Sequence, residues 1–247
     1  MKNDNGFYNH FTQSADSGIT SLGKLFVQIE NNFLLNVIKK YSQNEHIKIL
    51  EIGPGLGFFA ENCKRIGFNY FAIEANHIMV NELEGKGIDI VQGYVPPIPG
   101  DDKYNVIFMN QVLEHMKCRD QAIELINSCK DHLLDDGLLV ISSPDIEFQK
   151  EDFFNVDYTH DYPTSKRRLE QIFIDNNLEI KYSTLYSSFF RGRFMISLLT
   201  FFVRFFYSLG LFHLFFGKKA YIGKASLLPS CLIVGKYSKH SPIKLLP

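Results

Sequence analysis

The sequence predicts an α/β fold in which a mostly parallel sheet carries helices on both faces. Short apolar runs alternate with helical patterns between residues 47 and 145. Strands that are apolar nearly throughout are typical of a parallel sheet covered on both sides. We expect a seven-stranded sheet with an antiparallel C-terminal edge strand, preceded by an apolar helical insertion. With 247 residues and 45% hydrophobic content, the chain is long enough for one such domain with additions.

The elements follow one another in a regular order. Residues 22–41 have apolar side chains at helical spacing after Ser21, a suitable N-cap. Next come the strand "IKILEIG", a helix that ends near Gly67, the strand "FNYFAIE", the helix "HIMVNELEGKG" and the strands "IDIVQG" and "YNVIFMN". The helix "RDQAIELINSCKDHLLDDG" and the strand "LLVISSPD" complete this part. A polar, aromatic segment then leads to the helix "KRRLEQIFIDNN" and the strand "LEIKYSTLYSS", and "PSCLIVGKYSK" is the expected edge strand.

The composition limits the classes of function. The 26 basic and 27 acidic residues nearly cancel, so we expect no nucleic-acid partner. Four cysteines lie scattered without a CxxC pair or a histidine at ligand spacing, which argues against disulfides and predicts no metal site. The polar N-terminus has no secretion-signal pattern, and we expect a cytoplasmic protein.

The loop "EIGPGLG" predicts a ligand site between a strand and a helix. Gly53, Gly55 and Gly57 let the backbone approach a ligand closely. No Lys and Ser/Thr pair follows, so a phosphate-cradling loop is excluded, and a dinucleotide fingerprint would need glycine where Phe58 stands. Glu51 precedes the glycines at a position suited to a positively charged amino group.

The runs "LEIGPGLG", "AIEAN", "YNVIFMNQVLEH" and "LLDDGLLVISSPD" together resemble the motif series of the class I S-adenosylmethionine-dependent methyltransferases. The resemblance covers roughly residues 47–145 and implies a Rossmann-like fold with S-adenosylmethionine as cofactor. It implies that the glycine loop faces the methionine part, that Glu74 binds the ribose, and that Asn110 and Gln111 lie beside the methionine group. The cofactor-binding residues so implied are Glu51, Gly53, Gly55, Gly57, Glu74, Asn110 and Gln111.

One position departs from the family pattern. Many relatives have an acid after the third strand to bind the adenine amine, whereas this chain has Gly93 and Tyr94 there. We expect backbone groups and the ring of Tyr94 to hold the adenine instead.

Two histidines are candidates for catalysis, because histidine titrates near neutrality. His115 lies one turn past Gln111, and His160 lies in "DYTHDYPTS". The set Asp157, Thr159 and His160 is similar to a short pattern in a branch that includes quinone and glycan methyltransferases, which implies substrate binding. The alternatives are that His160 caps the next helix or orders a lid, and that His115 belongs to a common helix-start element.

Residues 189–217 are unusually rich in phenylalanine. Arg204 and Gly210 interrupt the run, so a membrane-spanning helix is not expected. Basic residues flank it, including Lys218 and Lys219, which favours an interfacial helix pair at the inner face of the membrane. Packing on the domain or in a dimer interface is the alternative.

We predict five segments: an N-terminal helical cap (1–46), the cofactor-binding core (47–145), a substrate lid with a helix and strand (146–188), the apolar helical insertion (189–224) and the edge strand with the tail (225–247). The predicted function is methyl transfer from S-adenosylmethionine to an acceptor oxygen of a sugar, glycan or lipid-linked small molecule. The alternatives are a quinone or polyprenyl-phenol O-methyltransferase and a non-catalytic cofactor-binding scaffold. The sequence leaves the oligomeric state open.

Overall fold

The computed structural model describes residues 21–42, 46–216, 221, 224 and 227–239. The helices are α1 (Ser21–Ser42), α2 (Phe58–Arg65), α3 (His77–Gly85), α4 (Arg119–Asp131), α5 (Ile146–Gln149), α6 (Asp152–Asn155), α7 (Lys166–Asp175), α8 (Arg193–Ser208) and α9 (Leu211–Phe216). The strands are β1 (Lys48–Ile52), β2 (Asn69–Glu74), β3 (Ile90–Gln92), β4 (Tyr104–Asn110), β5 (Leu133–Pro144), β6 (Glu179–Ser187), β7 (Phe190–Arg191) and β8 (Ser230–Lys236). The first 20 residues of the predicted cap, and Lys218 and Lys219, lie outside the described residues.

All these strands form one sheet, in the order β3-β2-β1-β4-β5-β8-β6-β7. The strands β1 to β5 pair in parallel, and β8, β6 and β7 add antiparallel pairs. The predicted fold class is confirmed, with two differences in detail. The C-terminal strand lies between β5 and β6 rather than at the outermost edge, and the two-residue β7 is an eighth strand.

The boundary between α4 and β5 differs from the prediction. The sequence pattern assigned Leu133 to the helix, but α4 ends at Asp131 and Leu133 pairs with Tyr104 of β4. The amide of Tyr104 donates to the carbonyl of His132 at 2.9 Å. The backbone pairing with β4 therefore overrides the helical pattern of "HLLDDG".

Apolar side chains fill both faces of the sheet. Residues of α1, α2 and α3, including Leu34, Phe59 and Leu83, form the core on one face. Residues of α4 and α7, including Ile126 and Phe173, form the core on the other. Because β1 to β5 are parallel, their carboxyl ends lie at the same edge of this covered sheet.

The order of the parallel strands reverses between β1 and β4. The chain moves outward from β1 through β2 to β3, and then returns to place β4 on the other side of β1. A crevice forms beyond the carboxyl ends of the strands at such a switch point, and open α/β sheets bind ligands there. The glycine loop after β1 and the turn after β4 therefore flank one crevice.

The apolar insertion forms α8 and α9. No helix among the described residues combines the length and the hydropathy that crossing a bilayer requires. Lys224 and the residues from 227 onward then lead back into the sheet as β8.

Candidate active site

The glycine loop is fixed at both ends and open in the middle. Gly53, Gly55 and Gly57 all have positive φ, at 69°, 55° and 79°. A side chain at Gly53 would lie 2.7 Å from Val112, and one at Gly57 would collide with Leu83. At Gly55, by contrast, an added Cβ meets no described atom within 4 Å. The middle of the loop therefore faces open space at the crevice.

Glu74, the last residue of β2, lies beside this loop. The amide of Gly55 donates to one carboxylate oxygen at 3.3 Å, and the amide of Asn76 donates to the other at 2.9 Å. Burial raises the pKa of Glu74, and these amide donors oppose that shift. The structure thus brings together the loop and the acid that the sequence assigned to one cofactor.

Glu51 lies beneath the loop and is buried. Its carboxyl group accepts a hydrogen bond from the hydroxyl of Tyr70, a partner that the sequence did not indicate. Burial raises the pKa of Glu51 to about 8, while the Tyr70 bond lowers it and the charge of Glu74 raises it further. Contact between Glu51 and the cofactor amino group stays a prediction.

The segment after β3 carries the predicted adenine contact. The amide of Gly93 donates to the carbonyl of Glu74 at 2.9 Å, which holds this turn next to the acid predicted to bind the ribose. The ring of Tyr94 is 61% exposed. An adenine that stacked on it would cover a ring that otherwise faces solvent, and this contact also stays a prediction.

Asn110 and Gln111 form the turn after β4. Gln111 has a φ of 59°, which is uncommon for a residue other than glycine. Its amide donates to the carbonyl of Ser142 at 2.9 Å, and its side-chain amide donates to Ser230 at 3.1 Å. The buried Oδ1 of Asn110 has no hydrogen-bond partner among the described residues. This orphaned acceptor lies at the end of β4 and suits a ligand that carries an N–H or O–H donor.

His115 and His160 lie next to each other, with ring centroids 4.9 Å apart. Nδ1 of His160 lies 2.6 Å from the carbonyl of Phe153, so Nδ1 carries a proton and the neutral ring has its lone pair on Nε2. Nδ1 of His115 lies 2.8 Å from Oγ1 of Thr159, whose hydroxyl donates to Asp157 at 2.7 Å. The structure therefore brings together the four residues predicted for catalysis and substrate binding. His115, Thr159 and Asp157 are hydrogen-bonded through their side chains, and the ring of His160 contacts that of His115.

Both imidazoles are biased toward the neutral form. Burial lowers the pKa of His115, and the neighbouring His160 lowers it further. Burial also lowers the pKa of His160, although the bond to Phe153 and the charge of Asp157 oppose the shift. Neutral rings at neutral pH are able to accept a proton.

Glu114 completes this group, although the sequence reasoning considered only the histidine of "VLEH". Its buried carboxyl group lies 2.7 Å from Oγ of Ser143, which lies 2.8 Å from Oγ1 of Thr164. Thr164 donates to the carbonyl of Pro144, and Ser143 has one hydrogen for its two contacts, so Glu114 donates to Ser143 when it carries a proton. Oε1 of Glu114 has no hydrogen-bond partner among the described residues. Burial raises the pKa of Glu114 to about 8, in agreement with that arrangement.

Side-chain donor atoms of Glu114, His115 and His160 all lie within 4.8 Å of one another. One carboxylate and two imidazoles form a donor set that can hold a divalent cation. The sequence predicted no metal site. Glu114 and His115 are consecutive, but only the fold brings His160 to them.

A second polar group connects the sheet to α1. The hydroxyl of Tyr186 lies 2.6 Å from Oγ of Ser142 and donates to Glu30 at 3.1 Å. The guanidinium of Arg191 lies 3.8 Å from the ring centroid of Phe33 and 5.5 Å from that of Tyr186. Burial raises the pKa of Glu30, while the bond to Tyr186 lowers it. No local pattern indicates this group, since its members come from α1, β5, β6 and β7.

A family described as "Methyltransferase domain" matches residues 26–183, more than half of the chain. A ubiquinone biosynthesis O-methyltransferase from Rickettsia prowazekii (strain Madrid E) is 27% identical over 173 residues, which cover 62% of this chain and 67% of that protein. The match therefore spans about two thirds of the length of that curated relative.

Solved structures share the fold. A magnesium protoporphyrin IX methyltransferase from Synechocystis PCC 6803, with bound S-adenosylhomocysteine, has a TM-score of 0.62 at 12% identity and covers 96% of both chains. A SAM-dependent methyltransferase from Archaeoglobus fulgidus has a TM-score of 0.54 at 17% identity, covering 84% of this chain and 94% of that one. At these identities, the likeness establishes the arrangement of helices and strands.

Proposed function

The chain belongs to the class I S-adenosylmethionine-dependent methyltransferases, and from that premise we propose that it methylates an oxygen of a lipid-linked small molecule, with a polyprenyl phenol or quinol as the favoured acceptor. A sugar or glycan hydroxyl is the other acceptor of the same chemistry. The cofactor follows from family membership, whereas the acceptor is the proposal.

The described residues fit the cofactor. Gly55 faces open space, the buried Oδ1 of Asn110 has no hydrogen-bond partner among the described residues, and Glu74 offers carboxylate oxygens beside the loop. In our proposal Glu74 accepts from the ribose hydroxyls, while Asn110 and Gln111 border the methionine part. When bound, S-adenosylmethionine supplies an electrophilic methyl group next to a good leaving group.

The orientation of His160 is the observation that supports an oxygen as the methyl acceptor. Its Nδ1 is committed to the Phe153 carbonyl, so the neutral ring presents a proton-accepting lone pair on Nε2 beside His115. His115 in turn lies just beyond the turn of Asn110 and Gln111. A hydroxyl acceptor needs a group that takes its proton, and His160 is assigned that role. Thr159 and Asp157 orient His115 and complete the acceptor side.

A polyprenyl acceptor is favoured by the name of the relative from Rickettsia prowazekii, an O-methyltransferase of ubiquinone biosynthesis.

The test is methyl transfer from radiolabelled S-adenosylmethionine to a short-chain polyprenyl catechol, a lipid-linked sugar and a free sugar. We expect label on the catechol oxygen. Replacement of the proposed base, His160→Gln, should lower kcat by about a hundredfold and leave cofactor affinity within about twofold. His77→Gln, on the N-terminal turn of α3, is the matched control and should keep full activity.

Two results would overturn the proposal. Label found on a nitrogen or carbon of the product would exclude the oxygen acceptor. Wild-type protein that binds S-adenosylmethionine but labels none of the three acceptors would favour the cofactor-binding scaffold.

A further inference from the structure

One face of α8 consists entirely of exposed large apolar side chains. At about 100° per residue, they occupy an arc of about 140° around the helix. The residues of this apolar face are Phe194, Met195, Leu198, Phe201, Phe202, Phe205, Phe206 and Leu209. Successive rings stack along it, with centroids 6.1 Å apart for Phe201 and Phe205 and 6.0 Å apart for Phe202 and Phe206. Leu214 of α9, 77% exposed, adds a further apolar side chain just beyond it.

The polar side chains of α8 place no hydrogen-bonding group on this face. Arg204, the charge within the apolar run, points inward and lies 3.2 Å from the buried carboxylate of Asp152. The hydroxyls of the exposed Ser197 and Ser208 donate to carbonyls of their own helix, at 2.8 Å and 2.7 Å. Hydroxyls that are satisfied within the helix need neither water nor a protein partner. The face is thus suited to a medium without hydrogen-bonding groups.

The opposite side of α8 is attached to the lid over the candidate active site. Ile196, Thr200 and Val203 are buried on that side. The guanidinium of Arg204 also donates to the carbonyls of Phe148 and Gln149 in α5, at 3.1 Å and 2.7 Å. The helix α8 alone therefore separates the medium that covers its apolar face from the segment that carries His160.

We propose that the apolar face of α8 inserts into the surface of a lipid bilayer, with the helix lying in the plane of the membrane. A helix of 16 residues is about 24 Å long, shorter than the hydrocarbon core, so it does not span. A second copy of the chain could also cover an apolar face. Protein interfaces, however, carry about one hydrogen bond per 100–200 Å². This face offers no side-chain group for such bonds.

The charges around α8 also suit a bilayer surface. The sequence from 193 to 216 has no acidic residue, and the two glutamates that lie against α8, Glu147 and Glu151, pair with Arg193 and Arg204. Arg193, at the start of the helix, is 74% exposed, and Lys218 and Lys219 follow α9 in the sequence. Aromatic side chains with basic flanks are typical of interfacial helices.

The test is flotation of the purified full chain with vesicles of phosphatidylcholine, alone and mixed with phosphatidylglycerol. We expect the wild type to float with both, and more strongly with the anionic mixture. The double variant F201S/F205S should lose at least about tenfold in partitioning, because two inserted phenyl rings return to water. The readout needs neither cofactor nor turnover, so failure here is distinct from failure of the proposed function.

The matched control is L134S/I174S, which removes two exposed apolar side chains from β5 and α7. It should float like the wild type, and circular dichroism should show both double variants folded. Folded wild type that stays at the bottom of the gradient would overturn the proposal. So would a concentration-dependent dimer that F201S/F205S abolishes without any flotation, since the face would then bind a second copy.

Discussion

Glu74 tests the cofactor site at the level of one residue, because its carboxylate lies where the loop and β2 meet. Glu74→Ala removes that carboxylate and leaves the amide of Gly55 without its acceptor. We expect the affinity for S-adenosylmethionine, measured by calorimetric titration, to fall at least about tenfold. Glu82→Ala, on the exposed side of α3, is the control and should bind like the wild type. Equal affinities for both variants would exclude Glu74 from the site.

Glu51 predicts a pH dependence of stability. Its pKa is raised to about 8 in the folded protein from 4.5, so the folded state holds the proton more tightly than the unfolded state. The stability from this group is fully present below pH 4.5 and is lost as the pH rises through about 8. Glutamine stays neutral and still accepts from Tyr70. Glu51→Gln should therefore match the wild type in acid and exceed its melting temperature increasingly between pH 5 and 8, by thermal unfolding followed by circular dichroism. A constant difference across this range would contradict an ionisable Glu51 in this environment.

Two glycines of the loop should respond differently to alanine. Gly57→Ala adds a methyl group that collides with Leu83 at a φ of 79°, and should cost about 2 kcal/mol or more in unfolding free energy. At Gly55 the added methyl group meets no described atom within 4 Å. Gly55→Ala should therefore cost about 1 kcal/mol in unfolding free energy, from the left-handed backbone alone. Its methyl group nevertheless projects into the cofactor space, so affinity for S-adenosylmethionine should fall. Urea unfolding and titration separate the two effects, and equal stability losses would argue against the described loop.

At the scale of elements, Asp152 joins the segment between β5 and β6 to α8 and to Lys224. Its buried carboxylate lies 2.8 Å from Nζ of Lys224 and 3.2 Å from Arg204. Asp152→Asn leaves two cations facing a neutral group, and should cost about 3 kcal/mol, or roughly 10 °C in melting temperature. Glu151→Gln changes an exposed partner of Arg204 and should leave the melting temperature nearly unchanged. Similar losses in the two variants would show that burial of the Asp152 contacts contributes little.

The elements themselves were largely predictable from their patterns. The parallel strands are short, apolar runs between helical segments, and β1, β2 and β4 match their predicted positions within two residues. Leu133 was assigned wrongly because a helical pattern continued into a segment that pairs with β4. The position of β8 inside the sheet depends on pairing with β5 and β6, which are distant in sequence. Local patterns carry no information about such partners.

At the scale of the molecule, the residues predicted to bind the cofactor lie within one continuous motif series, so the sequence could indicate them together. The buried partners could not be found that way. Tyr70 contacts Glu51 across neighbouring strands, and Glu30 contacts Tyr186 from 156 positions away. The sequence pattern around Glu114 indicates only a helix start, and the fold brings His160 close to it. These groups depend on the packing of separate elements, which the fold determines.

The measurement that tests the central claim most directly is calorimetric titration of the wild-type chain with S-adenosylmethionine and S-adenosylhomocysteine. We expect one site per chain, with a Kd on the order of micromolar for both ligands. No heat of binding with either ligand, from protein that circular dichroism shows to be folded, would contradict it.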